Sequence, residues 1–423
     1  MSNLVPDGWL LTTLGSNARL ITDGAHASPP TCEGGKPIAT VQNMLSRSID
    51  VGSCRSISED DFDMLVRGNC SPITGDVLFS KDGTVGKTFV YRQSDIVVLL
   101  SSIAIIRLFQ DKVEPEFCSQ YLLSPLFYQK LENTKSGSAI RRIVLSDLKK
   151  IELPTPPLPE QQKIAAILSS VDDVIDKTRA QIDKLKDLKT GMMQELLTKG
   201  IGHTAFKDSP VGRIPEGWEV VSLGTLASFV TSGSRGWAQY YSDSGSLFIR
   251  IGNLTREHIN LRFDDCVYVS PPDSAEGKRT QVQLGDVLIS ITADLGVIGV
   301  VNESIGEAYV NQHVSLVRLD QPETARWVGH FLAFENSQKQ FVANNDAGAK
   351  SGLNLSAIRN TLVAMPETDE RQRIVEALDA VDGEIARKRQ KVQHVMRMKK
   401  ALMQDLLTGK VRVNVDNKEN AVA

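Results

Sequence analysis

Two stretches of the chain carry the same long hydrophobic pattern. In the first, the apolar positions are Ile164, Leu168, Val171, Ile175, Ile182, Leu185, Met192 and Leu196, in steps that hold a 3.5-residue period. The second repeats it at Ile374, Leu378, Val381, Ile385, Val392, Val395, Leu402 and Leu406. Polar residues interrupt the seam at Thr178 and Lys189, and again at Lys388 and Lys399 in the second stretch. Each stretch follows a proline-bearing extended segment, at 153–159 or at Met365-Pro366, and stops at Gly200 or Gly409. The pattern therefore predicts long helices over 159–200 and 367–410. At 1.5 Å per residue, about 36 regular residues make each roughly 54 Å long. Two similar seams in one chain are natural partners. Because the second helix must return from the far domain, antiparallel packing as a coiled coil is the simpler closure.

The remaining segments, 1–158 and 201–366, show a different period. Short alternating runs bounded by Gly, Pro, Asn and Asp read as strands: Asp76–Ser80, Thr88–Arg92, Ile96–Leu100, Val287–Thr292, Val297–Val301 and Val314–Leu319. Helices are expected at Pro115–Glu132 and Thr324–Val342. Each segment thus predicts a strand-rich, mixed α+β domain. Trp9 and Trp218 follow a Pro-x-Gly turn and read as core anchors, and the Gly-Asp-Val turns at Asp76 and Asp286 read as structural. A flexible tail is expected over 411–423.

An offset of 210 residues superimposes the two halves. Leu145-Ser146-Asp147-Leu148 falls on Leu355-Ser356-Ala357-Ile358, Glu160-Gln161-Gln162-Lys163-Ile164 on Glu370-Arg371-Gln372-Arg373-Ile374, and Met193-Gln194-Glu195-Leu196 on Met403-Gln404-Asp405-Leu406. The chain reads as a tandem duplication with a pseudo-two-fold relation between its halves. Similarity is concentrated in the helical stretches, whereas 17–70 and 226–280 share little beyond length. Each half is a variable globular part followed by a matched tail.

Composition narrows the function classes. The 423 residues carry 48 Lys+Arg against 51 Asp+Glu, a net charge of −3, so any contact with nucleic acid must come from local patches. Five cysteines (Cys32, Cys54, Cys70, Cys118, Cys266) form no CxxC pair and no cleavable leader is read after Met1, which points to a reducing cytoplasm and no zinc site. The longest apolar run, Ile96 to Ile106, is too short for a membrane span. Gly83-Thr84-Val85-Gly86-Lys87-Thr88 ends like a phosphate-binding loop, but the required first glycine is Lys81 and a strand pattern follows. The six histidines show no paired-ligand spacing, and no GxSxG elbow is present. With no coherent catalytic constellation, the chain reads as a binding or scaffolding subunit without a metal or cofactor of its own.

The ordered set of features resembles the specificity subunit of a type I restriction-modification enzyme. Pro157-Leu158-Pro159-Glu160-Gln161-Gln162-Lys163-Ile164 leads into a long helix, Gln194-Glu195-Leu196-Leu197-Thr198-Lys199-Gly200 ends it, and Ile214-Pro215-Glu216-Gly217-Trp218 opens a second variable domain. Asp23-Gly24-Ala25-His26 with Pro37-Ile38-Ala39-Thr40-Val41-Gln42-Asn43, and Ser232-Gly233-Ser234-Arg235 with Phe248-Ile249-Arg250-Ile251-Gly252-Asn253, resemble opening segments of such target-recognition domains. The resemblance implies that each variable domain reads one half of a split double-stranded DNA target and that the helix pair fixes the gap. It also implies two methyltransferase subunits carrying S-adenosylmethionine, and restriction subunits using ATP and Mg for translocation and cleavage. This chain itself would catalyse nothing. A subunit serving methylation alone, or a coiled-coil scaffold holding two ligand-binding modules without nucleic acid, remains an alternative at this point.

Base edges are read by hydrogen-bonding side chains, while Lys and Arg on phosphates set the register. The base-edge candidates are His26, Gln42 and Asn43 in the first domain, and Arg235, Arg250 and Asn253 in the second. Residues 130–150 hold six basic against two acidic residues, which makes Lys135, Arg141 and Arg142 phosphate candidates, with Lys350 as the repeat counterpart. Residues 201–369 carry 13 basic and 19 acidic residues, so the second domain is net −6 and DNA binding is expected to need partner subunits.

Overall fold

The computed structural model describes residues 5–134, 142–233, 235–271, 274–302, 305–344 and 352–415. The protein is an α+β molecule that divides into two compact units, Met1–Arg179 with Gln390–Ala423, and Ala180–Arg389. The long helices, Leu158–Lys199 and Thr368–Leu407, are therefore not separate segments, because each unit holds one half of both.

In the first unit a four-stranded antiparallel sheet has the order Ala18–Asp23, Ile103–Leu108, Val77–Ser80, Thr88–Val90. A three-stranded sheet places Lys36–Ala39 between Arg55–Ile57 and Val98–Leu99. Val77–Ser80 is buried at every position because both faces of its sheet are covered. Val77, Phe79, Ala104 and Ile106 face one core, whereas Leu78, Ile103 and Ile105 face another, as the two-residue period of a strand requires. The expected helix at 115–132 is two helices, Pro115–Leu122 and Pro125–Thr134, because Pro125 has no N–H to continue the first.

The second unit repeats the plan. Ala227–Ser232, Val314–Leu319, Val287–Ser290 and Ile298–Val300 form its antiparallel sheet, and a second four-stranded sheet pairs Ser246–Ile249 in parallel with Ala308–Val310. The helix expected at 324–342 is again split, into Ala325–Ala333 and Glu335–Ala343, at an extended Phe334. Asp76 and Asp286, both 1% exposed, are each clamped by two guanidinium bonds, from Arg107 and from Arg318. These turns are structural.

Within each unit the two helix halves run antiparallel. In the first, Ile164, Ala165 and Leu168 share a core with Met403, Leu406 and Leu407, and Lys399 meets Asp172 at 2.7 Å. In the second, Leu197 shares a core with Ile374 and Leu378, and Lys189 meets Asp382 at 2.6 Å. Seam positions Ile175, Ile182, Ile385 and Val392 are buried as well, while Val171, Leu185, Met192, Leu196, Val381, Val395 and Leu402 are half-buried. Lys189 and Lys399, read from sequence as interruptions, are part of the packing because each finds a carboxylate on the facing helix. Thr178 is buried too, with its hydroxyl donating to Val174 O at 2.6 Å.

Trp9 and Trp218 are buried, and their indole N–H groups donate to Glu160 and Glu370 at the starts of the long helices. Arg412 closes on Glu160 at 2.7 Å and His203 on Glu370 at 2.9 Å. The expected flexible tail is thus corrected over its first residues, since Arg412 is paired and Val413 packs on the first core. Residues 416–423 lie outside the described residues.

Candidate nucleic-acid interface

At one end of the first unit's four-stranded sheet, the strand termini bring polar groups together. Asp23 ends its strand, and its carboxylate holds Lys81 Nζ at 3.0 Å and His26 Nε2 at 3.2 Å. The Lys81 side chain is 4% exposed and that of His26 72% exposed, so an internal ion pair supports an outward imidazole. Lys81 opens a tight turn closed by Ser80, whose hydroxyl donates to Thr84 O at 2.6 Å and accepts from Lys87 N at 2.7 Å. Gly86 has φ 103, and a Cβ there would lie 1.5 Å from Tyr128 Oη, so glycine is required. Asp82 bridges to Arg142, with Nε 3.7 Å from its carboxylate, and Lys81 O accepts from Ile143 N. A Cβ on Gly83 would lie 3.6 Å from Val41, and Lys87 Nζ donates to Met44 O at 2.8 Å. The turn carrying Gln42 therefore belongs to the same cluster. His26, Gln42 and Arg142 are all exposed on it.

The second unit builds the equivalent end from other residues. Thr292 bridges Gly352, as Asp82 bridges Arg142. Gln312 Nε2 lies 3.0 Å from His313 Nε2, a bond that requires this nitrogen to accept. The proton then sits on Nδ1, which donates to Thr292 Oγ1 at 2.7 Å. Ala293 occupies the left-handed region at φ 57, where its repeat counterpart is Gly83 at φ 71. Such a conformation persists in a non-glycine residue only when neighbours impose it. Here Arg256 does so, donating to Leu295 O at 2.7 Å and Asp294 at 3.2 Å. Arg235 stands exposed beyond the adjoining strand. Among the described residues no three His, Cys, Asp or Glu side chains assemble into a metal set, and no helix is long and apolar enough to cross a membrane.

Two expected base readers are corrected. Asn253 is 1% exposed, its carbonyl accepts from Arg250 N at 2.9 Å, and its amide donates to Arg262 O at 3.0 Å. Asn43 repeats the arrangement with Thr40 N at 2.8 Å and Ser53 O at 3.1 Å. Both asparagines hold a turn and have no free edge for a base. Arg250 is drawn to Asp265 at 2.9 Å, with its Nε buried and unpartnered among the described residues. Lys135, Arg141 and Lys350 lie outside the described residues. Sequence reasoning passed over Asp23, Lys81, Thr292 and His313. The available signal was the repeated Ser-x5-Gly turn, Ser80 to Gly86 and Ser290 to Gly296, which a test for phosphate-binding loops discards.

A profile of the family described as type I restriction modification DNA specificity domain matches residues 63–187 and 215–395. The putative type I restriction enzyme MjaX specificity subunit of Methanocaldococcus jannaschii is 27% identical over 424 residues, covering 97% of this chain and 95% of that protein. The MjaVIII specificity subunit of the same organism is 28% identical over 347 residues, 80% of this chain and 79% of its own length. In fold, the crystal structure of a type I restriction-modification S subunit from M. genitalium aligns over 96% of this chain and 97% of its own, at TM-score 0.59 and 14% identity.

Proposed function

Since the chain belongs to the type I restriction-modification DNA specificity family, we propose that its two globular units read the two halves of one asymmetric, interrupted DNA target. Target recognition is the role of this family, and catalysis lies in other subunits. One observation carries the finer reading: two repeat-related loop clusters occupy equivalent strand ends but present different chemistry. An outward histidine over a Lys-Asp ion pair marks the first, and a Thr-His pair with an exposed Arg235 marks the second. Different hydrogen-bonding groups select different base edges, so the half-sites differ. The long helices act as an antiparallel coiled-coil spacer that sets the gap and docks two methyltransferase subunits. Those subunits bring S-adenosylmethionine, and restriction subunits bring ATP and Mg, in the cytoplasm where the DNA lies.

Mapping methylated bases in a host that expresses this chain with its partner methyltransferase, against a host lacking this chain, tests the reading. The expected result is a new split motif with unlike halves and one fixed gap. A soluble complex that adds no methylation overturns it in favour of a scaffold without nucleic acid.

A further inference from the structure

Two ion pairs sit inside the largely apolar seams of the long helices. In the first unit Lys399 bonds Asp172 at 2.7 Å, with side chains 13% and 19% exposed. In the second Lys189 bonds Asp382 at 2.6 Å, with side chains 11% and 3% exposed. The duplication relates the pairs, since Asp172 corresponds to Asp382 and Lys189 to Lys399. Each helix therefore contributes one acid and one base. Seventeen residues separate Asp172 from Lys189 on one helix, and seventeen separate Asp382 from Lys399 on the other. Both pairs thus form at the same antiparallel register. Among the described residues Asp382 Oδ2 is buried without a partner, so the lysine is its main compensation. Gln120 Nε2 adds a bond to Asp172 at 2.8 Å, and Lys189 Nζ also donates to Glu257 O at 2.8 Å.

A leucine-type seam tolerates sliding by a heptad, because each apolar knob finds another hole. The charged pairs do not. Slip by seven residues one way sets Lys189 opposite Arg389 and Asp172 opposite Leu406. The other way sets Lys189 opposite Val375 and Asp172 opposite Val392. Either slip strands charges in the seam, which disfavours it by a factor on the order of a hundred.

We infer that the Asp172–Lys399 and Lys189–Asp382 pairs are register locks that make the gap of the DNA target single-valued. This specificity role rests on the reading of the chain as a bipartite DNA reader. Each recognition domain leads into its own long helix and also packs on the far end of the other, so a register slip, which must release that packing as well, becomes a change of gap. Seven residues at 1.5 Å rise is about 10 Å, or about three base pairs at 3.4 Å each.

The test uses the full chain with its methyltransferase partner and a DNA library in which the gap between fixed half-sites varies. Replacing all four residues by leucine keeps the seam apolar, and methylation at gaps displaced by about three base pairs should rise at least about tenfold relative to the native gap. Reversing only the first helix, Asp172→Lys with Lys189→Asp, sets like charges opposite one another and should abolish the native gap. Adding Asp382→Lys and Lys399→Asp restores opposite charges and should restore it. That rescue separates a register role from a general loss of folding, and it decides the matter even where the leucine variant does not fold. Native gap selectivity in the half-reversed chain, or none in the fully reversed chain, overturns the locks while leaving the DNA-reading function in place. A wild-type complex that methylates no split motif at all overturns the function itself.

Discussion

Replacing Asn253 by alanine removes a buried amide that bonds Arg250 N and Arg262 O. The loss should lower unfolding free energy by about 1–3 kcal/mol in a denaturant titration, because backbone groups are left unsatisfied. A base-reading side chain on the surface would leave stability unchanged. His330 is a second residue whose environment makes a definite demand. It is fully buried, with Nε2 2.7 Å from Asp379 and Nδ1 unpartnered among the described residues, and Arg326, Asp382 and Lys189 surround it. Burial lowers its pKa from the usual 6.5, so the folded chain keeps it neutral while the unfolded chain takes up a proton. Stability is therefore full above pH 6.5 and falls as pH drops below it, by at most about 1.4 kcal/mol for each pH unit. Asp379 has its pKa lowered to about 2, and the stability it lends is lost only as the pH falls through the acid range below 3.8. His330→Gln, which copies Gln120 of the first unit, should flatten the melting temperature between pH 7.5 and pH 5. An unchanged pH profile would show that His330 is not the group responsible.

The helix halves carry their own prediction. Lys189→Met leaves Asp382 buried without its cation and should cost about 3 kcal/mol or more by chemical denaturation, whereas Lys189→Met with Asp382→Leu should restore most of that loss. Attachment of each globular part to its helix also uses charge, with opposite polarity in the two units. Arg47 donates to Asp173 at 2.5 Å and to Ser169 O at 3.2 Å, and Glu257 pairs with Arg389 at 2.7 Å. These contacts follow directly after the turns that hold Gln42 and Gly252. Each of these turns is thereby braced against a long helix.

At the scale of the molecule, the two units share one plan of strands and helices but differ in their loops. The helices, the clamped Asp76 and Asp286 turns, and the Trp-to-glutamate bonds recur in both halves, while the loop clusters recur in place but carry different residues. Exchanging residues 17–150 for the corresponding segment of a relative should alter one half of the methylated motif and leave the other half and the gap unchanged. Methylome sequencing reads all three at once, and a change in both halves would contradict the division of labour. The second domain's net charge of −6 adds that the isolated chain should bind duplex DNA weakly, with affinity rising when methyltransferase subunits are present. Titration of labelled duplex with and without the partner checks this.

The long helices were legible because a heptad period sustained over some forty residues is a property of order along the chain. The strands were legible as alternating runs, though only roughly in their limits. What the period treats as defects, Lys189 and Lys399, became buried ion pairs once a facing helix supplied Asp382 and Asp172. Asn43 and Asn253 looked like base readers because sequence shows residue type but not where the amide's bonds go. The loop clusters joining Asp23 to Lys81 and Thr292 to His313 depend on strand order, which brings residues far apart in the chain to one end of a sheet. Sequence by itself determined the elements and their repetition, since these follow from local periodicity. Tertiary structure alone decided which polar groups face one another, because burial and hydrogen-bond partners exist only after distant segments have packed.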